Sequence, residues 1–143
     1  MNRKHSAFTL VEILIVVVIL GILAAIVIPQ FTDAGNDARA SALKSDLQTV
    51  RSQLALYKVQ HLDNYPAAAT FVTQMTTKTD SAGAAGGTLG AYLQTFPANP
   101  YNNLSTVEVE SGTAGLGNGS HGWHFDTATG MFAADDSAEH GAW

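Results

Sequence analysis

"KHSAFTLVEILIVVVILGILAAIVIPQF", Lys4 to Phe31, decides how the rest of the chain is read. Every residue from Ile13 to Ile28 is apolar or Gly, and no charge falls between Ile13 and Thr32. Those 20 uncharged residues, wound as a helix at about 1.5 Å per residue, span about 30 Å, the hydrocarbon thickness of a bilayer. Arg3 and Lys4 stand before the run, which places that end in the cytoplasm if the run crosses a membrane. One acid, Glu12, lies near its start. A carboxylate at the centre of a membrane helix costs roughly 2.5–3.5 kcal/mol on insertion scales. Glu12 therefore sits near the interface or has a partner.

Two readings follow from the residues alone. A cleaved secretory signal fits the basic start, with "LAA" at Leu23–Ala25 as its cleavage site. The apolar run, however, continues through Ile28 and is longer than signal cores are. A plain membrane anchor fits better but gives Glu12 no task.

The hexapeptide "AFTLVE", Ala7 to Glu12, supplies a third reading. With its short basic leader and the apolar run behind it, it resembles the processing motif of type IV pilins and of the pseudopilins of type II secretion. The match covers Phe8, Thr9, Leu10, Glu12 and the whole run, and Pro29 stands where such helices often carry a Pro. The resemblance implies that residues 1–7 are a leader. A prepilin peptidase would cut between Ala7 and Phe8 and methylate the new Phe8 amine. The family usually has Gly where this chain has Ala7. The resemblance also implies that Glu12 pairs with the N-terminal amine of a neighbouring subunit during assembly. Physically that converts a desolvated acid into a charge-assisted contact. Four residues of helix rise only about 6 Å, so amine and acid lie at similar depth.

Residues 8–32 are thus expected as an apolar helix, in the membrane first and in a filament core later. Pro29 removes a donor and crowds the carbonyl of Ala25, so a kink or local melting is expected near Ala25, and the resemblance implies that the stretch between Gly21 and Pro29 loses helicity in the filament. Residues 33–143 are expected as a globular head. In "NDARASALKSDLQTVRSQLALYKVQHLDNYP", Leu43, Leu47, Val50, Leu54 and Tyr57 recur at steps of 4, 3, 4 and 3, an amphipathic helix stripe. That helix should stop by about residue 64, ahead of Pro66. Residues 65–104 read as a variable loop with a short helix near Ala68–Thr77.

"STVEVE" (Ser105–Glu110), "GWHFD" (Gly122–Asp126) and "MFAAD" (Met131–Asp135) read as three short strands, taken as antiparallel. An acidic tail follows them. The fold class is α+β: a long N-terminal helix, kinked at Pro29, whose second half packs on a small antiparallel sheet. This is also the architecture that the resemblance implies.

The balance of charges is −5, and −7 without the leader. That argues against a nucleic-acid groove, which needs clustered Lys and Arg. There is no Cys, so disulfides, thiolate metal sites and a Cys nucleophile are excluded. The lack of a C-terminal disulfide is closer to the major pseudopilin than to many pilus pilins. His121 and His124 stand three apart, and in a strand such residues point to opposite faces, so they read as two surface histidines. Ser120, His121 and Asp126 are a triad by residue type only, and the chain is read as having no active site. Asp135, Asp136 and Glu139 follow the last strand and have the chemistry to wrap a hard cation. Major pseudopilins bind calcium in such a loop, so the resemblance raises these three as calcium ligands, with Asn99, Asn102 or Asn103 as further donors. The other reading is a solvated acidic tail.

The resemblance implies a structural subunit that polymerises from the bacterial inner membrane, its head periplasmic, to drive protein export. Its partners would be copies of itself, the peptidase, and an inner-membrane platform with a motor ATPase. The alternatives are a major pilin of a type IV pilus, serving adhesion, motility or DNA uptake, and an anchored binding module that does not polymerise.

Overall fold

The computed structural model describes residues 8–143. The leader, with Ala7, lies outside the described residues. The chain divides into two compact units, Met1–Ala38 and Arg39–Trp143.

Helix α1, Leu10–Gln60, begins in the first unit and ends in the second. It remains helical through Gly21 and Pro29, so the local melting expected there is not seen in the single chain. Its start has a clear local cause. Thr9, the residue before the first helical turn, donates its amide and its hydroxyl to Glu12 Oε2, each at 2.8 Å. The Glu12 amide donates back to Thr9 Oγ1 at 3.2 Å. This is a reciprocal capping box, which satisfies backbone donors that the first turn leaves open. In the first unit the large apolar side chains from Ile13 to Ile28 are 42–64% exposed.

In the second unit the stripe is buried as its spacing dictates: Leu43, Leu47, Val50, Leu54 and Tyr57 are 0–3% exposed. They share one core with Phe71, Met75, Trp123, Phe125 and Phe132. Arg51 reaches across it. Its Nε donates to the carbonyl of Phe132 at 2.9 Å and its Nη2 to that of Trp143 at 2.8 Å. The helix stops where Asp63 N bonds back to Lys58 O at 3.0 Å, with Leu62 between them at φ 56°. Glycine is the usual residue in that left-handed position. A turn of 3₁₀ helix (Ala68–Thr70) leads into α2, Phe71–Thr76, close to the expected short helix. Residues 77–106 are irregular, with single bridges from Thr79 to Ala85 and Leu89.

Three strands complete the head: β1 (Val107–Glu110), β2 (Trp123–Asp126) and β3 (Phe132–Ala134). The positions agree with the sequence reading, but one pairing does not. β2 and β3 are antiparallel, whereas β1 runs parallel to β2, Val107 opposite Trp123 and Glu110 opposite Asp126. The sheet is mixed. The reason is the glycine-rich stretch between β1 and β2. It is not a hairpin turn but a crossover of residues 111–122, and a parallel pair needs a connection of about a dozen residues.

The crossover folds over the sheet. Val107, Val109, Trp123, Phe125, Phe132 and Ala134 line the core side, so Glu108, Glu110, His124, Asp126 and Ala133 fall on the other side by strand alternation. There the loop covers them: Gly112 N donates to Asp126 Oδ1 at 2.7 Å and Gly115 N to Glu110 Oε1 at 3.0 Å. All four residues of β2 are buried as a result.

Candidate functional site

The first candidate is the start of α1. Phe8, 79% exposed, precedes the cap, and Glu12 is held by Thr9 on the first turn. The acid and the Phe8 backbone nitrogen therefore lie within one turn of each other, at the end of a helix long and apolar enough to cross a membrane. Thr9 as capping residue is a role that the sequence reading missed, although T-x-x-E before an apolar run is its signature.

The second candidate is the tail, and here the expected ligands do not converge. Asp135 is buried. Its Oδ1 accepts from Gly117 N at 2.7 Å and its Oδ2 from His121 N at 3.1 Å. Asp136 turns to other neighbours, Asn99 Nδ2 at 2.8 Å and the close Nδ1 of His140. Glu139 is exposed. The asparagines are braces. Buried Asn99 also donates to Gly122 O at 2.9 Å and accepts from Tyr101 N at 2.9 Å, and Asn102 donates to His121 O at 2.7 Å. Asn103 sits at φ 59° in the turn behind them. Calcium takes six to eight oxygens. Asp135, Asp136 and Glu139 do not offer a common set, so the residues present do not fit a calcium centre.

What the fold does gather is Glu108, His121 and Asp135, whose ligating atoms lie within 4.8 Å of one another. The reading of His121 and His124 as surface residues is corrected for His124, while His121 stays half-exposed. His121 belongs to the crossover and not to a strand, so strand parity does not apply to it, and His124 is fully buried. The triad by residue type does not assemble either. Ser120 Oγ lies 3.1 Å from His121 Nδ1, but Asp126 is engaged elsewhere, by Thr129 Oγ1 at 2.5 Å and by the amides of Gly112 and Ala128. The Thr129 hydroxyl first, and then those amides, hold the Asp126 carboxyl below the usual carboxylate range.

An apolar helix capped at an acid, a buried stripe further along it and a small sheet behind a crossover define a pilin-type subunit. The comparisons agree. Residues 2–28 match the prokaryotic N-terminal methylation motif. The chain is 36% identical over 105 residues to the type II secretion system core protein G of Pseudomonas aeruginosa, covering 71% of this chain and 72% of the relative. Against the core protein G of Vibrio cholerae it is 35% identical over 105 residues, covering 71% and 68%. A shorter match, 43% over 57 residues, links it to the type IV narrow pilus major component PilA5 of Thermus thermophilus, covering 40% of this chain and 49% of that one. No solved structure matches. The chain belongs to the family of type II secretion system core protein G, the major pseudopilins, and is a structural subunit of a type IV pilus-like filament.

Proposed function

We propose that this subunit waits in the bacterial inner membrane, head in the periplasm, and polymerises there to push proteins out by type II secretion. Cleavage between Ala7 and Phe8 and methylation of the Phe8 amine make it competent. On joining the filament, the apolar half of α1 exchanges lipid for the same half of neighbouring copies, and Glu12 pairs with a neighbour's Phe8 amine. Small adjustments between Gly21 and Pro29 allow the helices to pack. The work comes from a motor ATPase beneath the assembly platform.

One observation carries this reading: a bilayer-length apolar run at the start of α1, its large side chains exposed among the described residues, with Glu12 as the one acid at its N-terminal end. Glu12→Leu tests it. The variant should fractionate with membranes at wild-type levels, yet yield no filament on overexpression and no secretion. Secretion at wild-type levels would favour an anchored head that works alone. Mass spectrometry of the mature N-terminus should find methylated Phe8. A start at Met1 or beyond Ala25 would overturn the processing step. Long surface fibres on wild-type cells with secretion intact in a deletion strain would favour a pilus pilin.

A further inference from the structure

Two histidines are buried in the head, and they differ in one respect. His61 has both ring nitrogens satisfied: Nδ1 donates to Tyr57 O at 2.9 Å, and Nε2 accepts from Thr79 Oγ1 at 2.9 Å. His124, equally buried, has one. Its Nε2 donates to Gly112 O at 2.9 Å, which makes Nδ1 the acceptor nitrogen of a neutral ring. That Nδ1 has no hydrogen-bond partner and faces Glu108 Oε2 at 3.7 Å, an oxygen that is likewise buried and unpartnered. Two lone pairs facing each other out of water are unfavourable unless something positive stands between them.

His121 and Asp135 join Glu108 in a group whose ligating atoms lie within 4.8 Å of one another, and His124 is placed beside that group by its approach to Glu108. His121 Nδ1 lies 3.9 Å from the same Glu108 oxygen and 4.0 Å from Asp135 Oδ2. Around a tetrahedral zinc-class ion with ligands at about 2.0–2.1 Å, neighbouring donors stand roughly 3.3 Å apart, so these gaps close with small side-chain movements. The outer contacts are those that metal ligands need. The far nitrogen of His124 donates to a backbone carbonyl, and Asp135 is oriented by the amides of Gly117 and His121. Gly115 packs over the Glu108 carboxylate; a Cβ there would come within 2.5 Å of Oε2. Two carboxylates match the charge of a divalent cation. Mixed nitrogen and oxygen donors suit zinc and its neighbours rather than calcium.

We propose that Glu108, His121, His124 and Asp135 form a site for a divalent transition ion of the zinc class, pinning the crossover to β1, β2 and the tail. The site departs from the calcium chemistry that the family resemblance implied, and it does not rest on the filament reading. Its test uses the untagged full-length chain in detergent, stripped with chelator. Titrated with zinc chloride, it should bind one ion at micromolar affinity or tighter and unfold at higher temperature. Millimolar calcium chloride should do neither. Cobalt(II) should give the intense visible bands of a tetrahedral centre. His121→Ala, at a half-exposed position where folding is safe, should weaken zinc binding at least about tenfold, while His140→Ala leaves it unchanged. Absence of zinc and cobalt binding below millimolar would overturn the proposal. So would calcium preferred over zinc, or zinc binding indifferent to His121→Ala. If His121→Ala misfolds, nitrogen-15 shifts of the His121 and His124 rings on adding zinc decide, and unmoved resonances would refute the site.

Discussion

Helix α1 holds two opposite solutions to one problem. In Arg39–Gln60 the large apolar residues other than Leu56 and Val59 keep to a stripe, and the chain supplies its own cover in Phe71, Trp123, Phe125 and Phe132. In Leu10–Ile28 they run all round, and among the described residues they stay exposed. A helix apolar on every side belongs in a membrane or in the middle of an assembly. The difference shows that the second part of α1 is a folding element and the first an association element, although the backbone conformation is the same.

The sharpest way to break this contrast is to make one substitution in both parts. Leu47→Ala opens a cavity in a closed core and should cost about 2–5 kcal/mol, read by chemical unfolding of the head. Leu20→Ala should leave that transition where it was and act only on filament yield. Equal effects on head stability would erase the distinction.

Acid gives a second probe with a smaller effect. The Asp126 carboxyl is held below its usual range, chiefly by the Thr129 hydroxyl, so its contribution to stability is fully present above the unfolded value of about 3.9 and is lost as pH falls through the folded value. The head's melting temperature should fall less steeply below about pH 4 in Asp126→Asn than in wild type. The variant should be less stable at neutral pH, because an amide cannot accept all three donors. Helicity of the apolar part, read in detergent, should not follow this titration. The smallest effect concerns the end of α1. Leu62→Gly removes a left-handed leucine, whose conformation costs about 1–2 kcal/mol, and should raise head stability by less than that, since Gly is freer when unfolded.

Much of this was legible because it depends on spacing along one helix. The steps between Leu43 and Tyr57 named the buried face residue by residue, and the uncharged run from Ile13 to Thr32 named the part with no cover. The positions of the strands were legible too, from alternation in "STVEVE" and the aromatic pair in "GWHFD". Their direction was not. Glycines from Gly112 to Gly119 look the same in a hairpin as in a crossover, and only the pairing of Val107 with Trp123 separates the two. The error then spread. With β1 antiparallel there was no reason to bring Glu108 beside His124, or His121 over Asp135, so the convergent group was invisible and the acidic tail drew attention in its place. Thr9 is a different case: its signal was present, but the same letters were already explained as a processing motif.

The capping box at Thr9 bears on how a filament comes apart. Glu12 in the single chain already receives two donors from Thr9. On the proposed pairing, a neighbour's amine would compete with these contacts or add to them, and would not meet a bare charge. A subunit leaving the filament then regains a solvated-like carboxylate from its own first turn, without water having to reach it. Such a contact can open as readily as it closes.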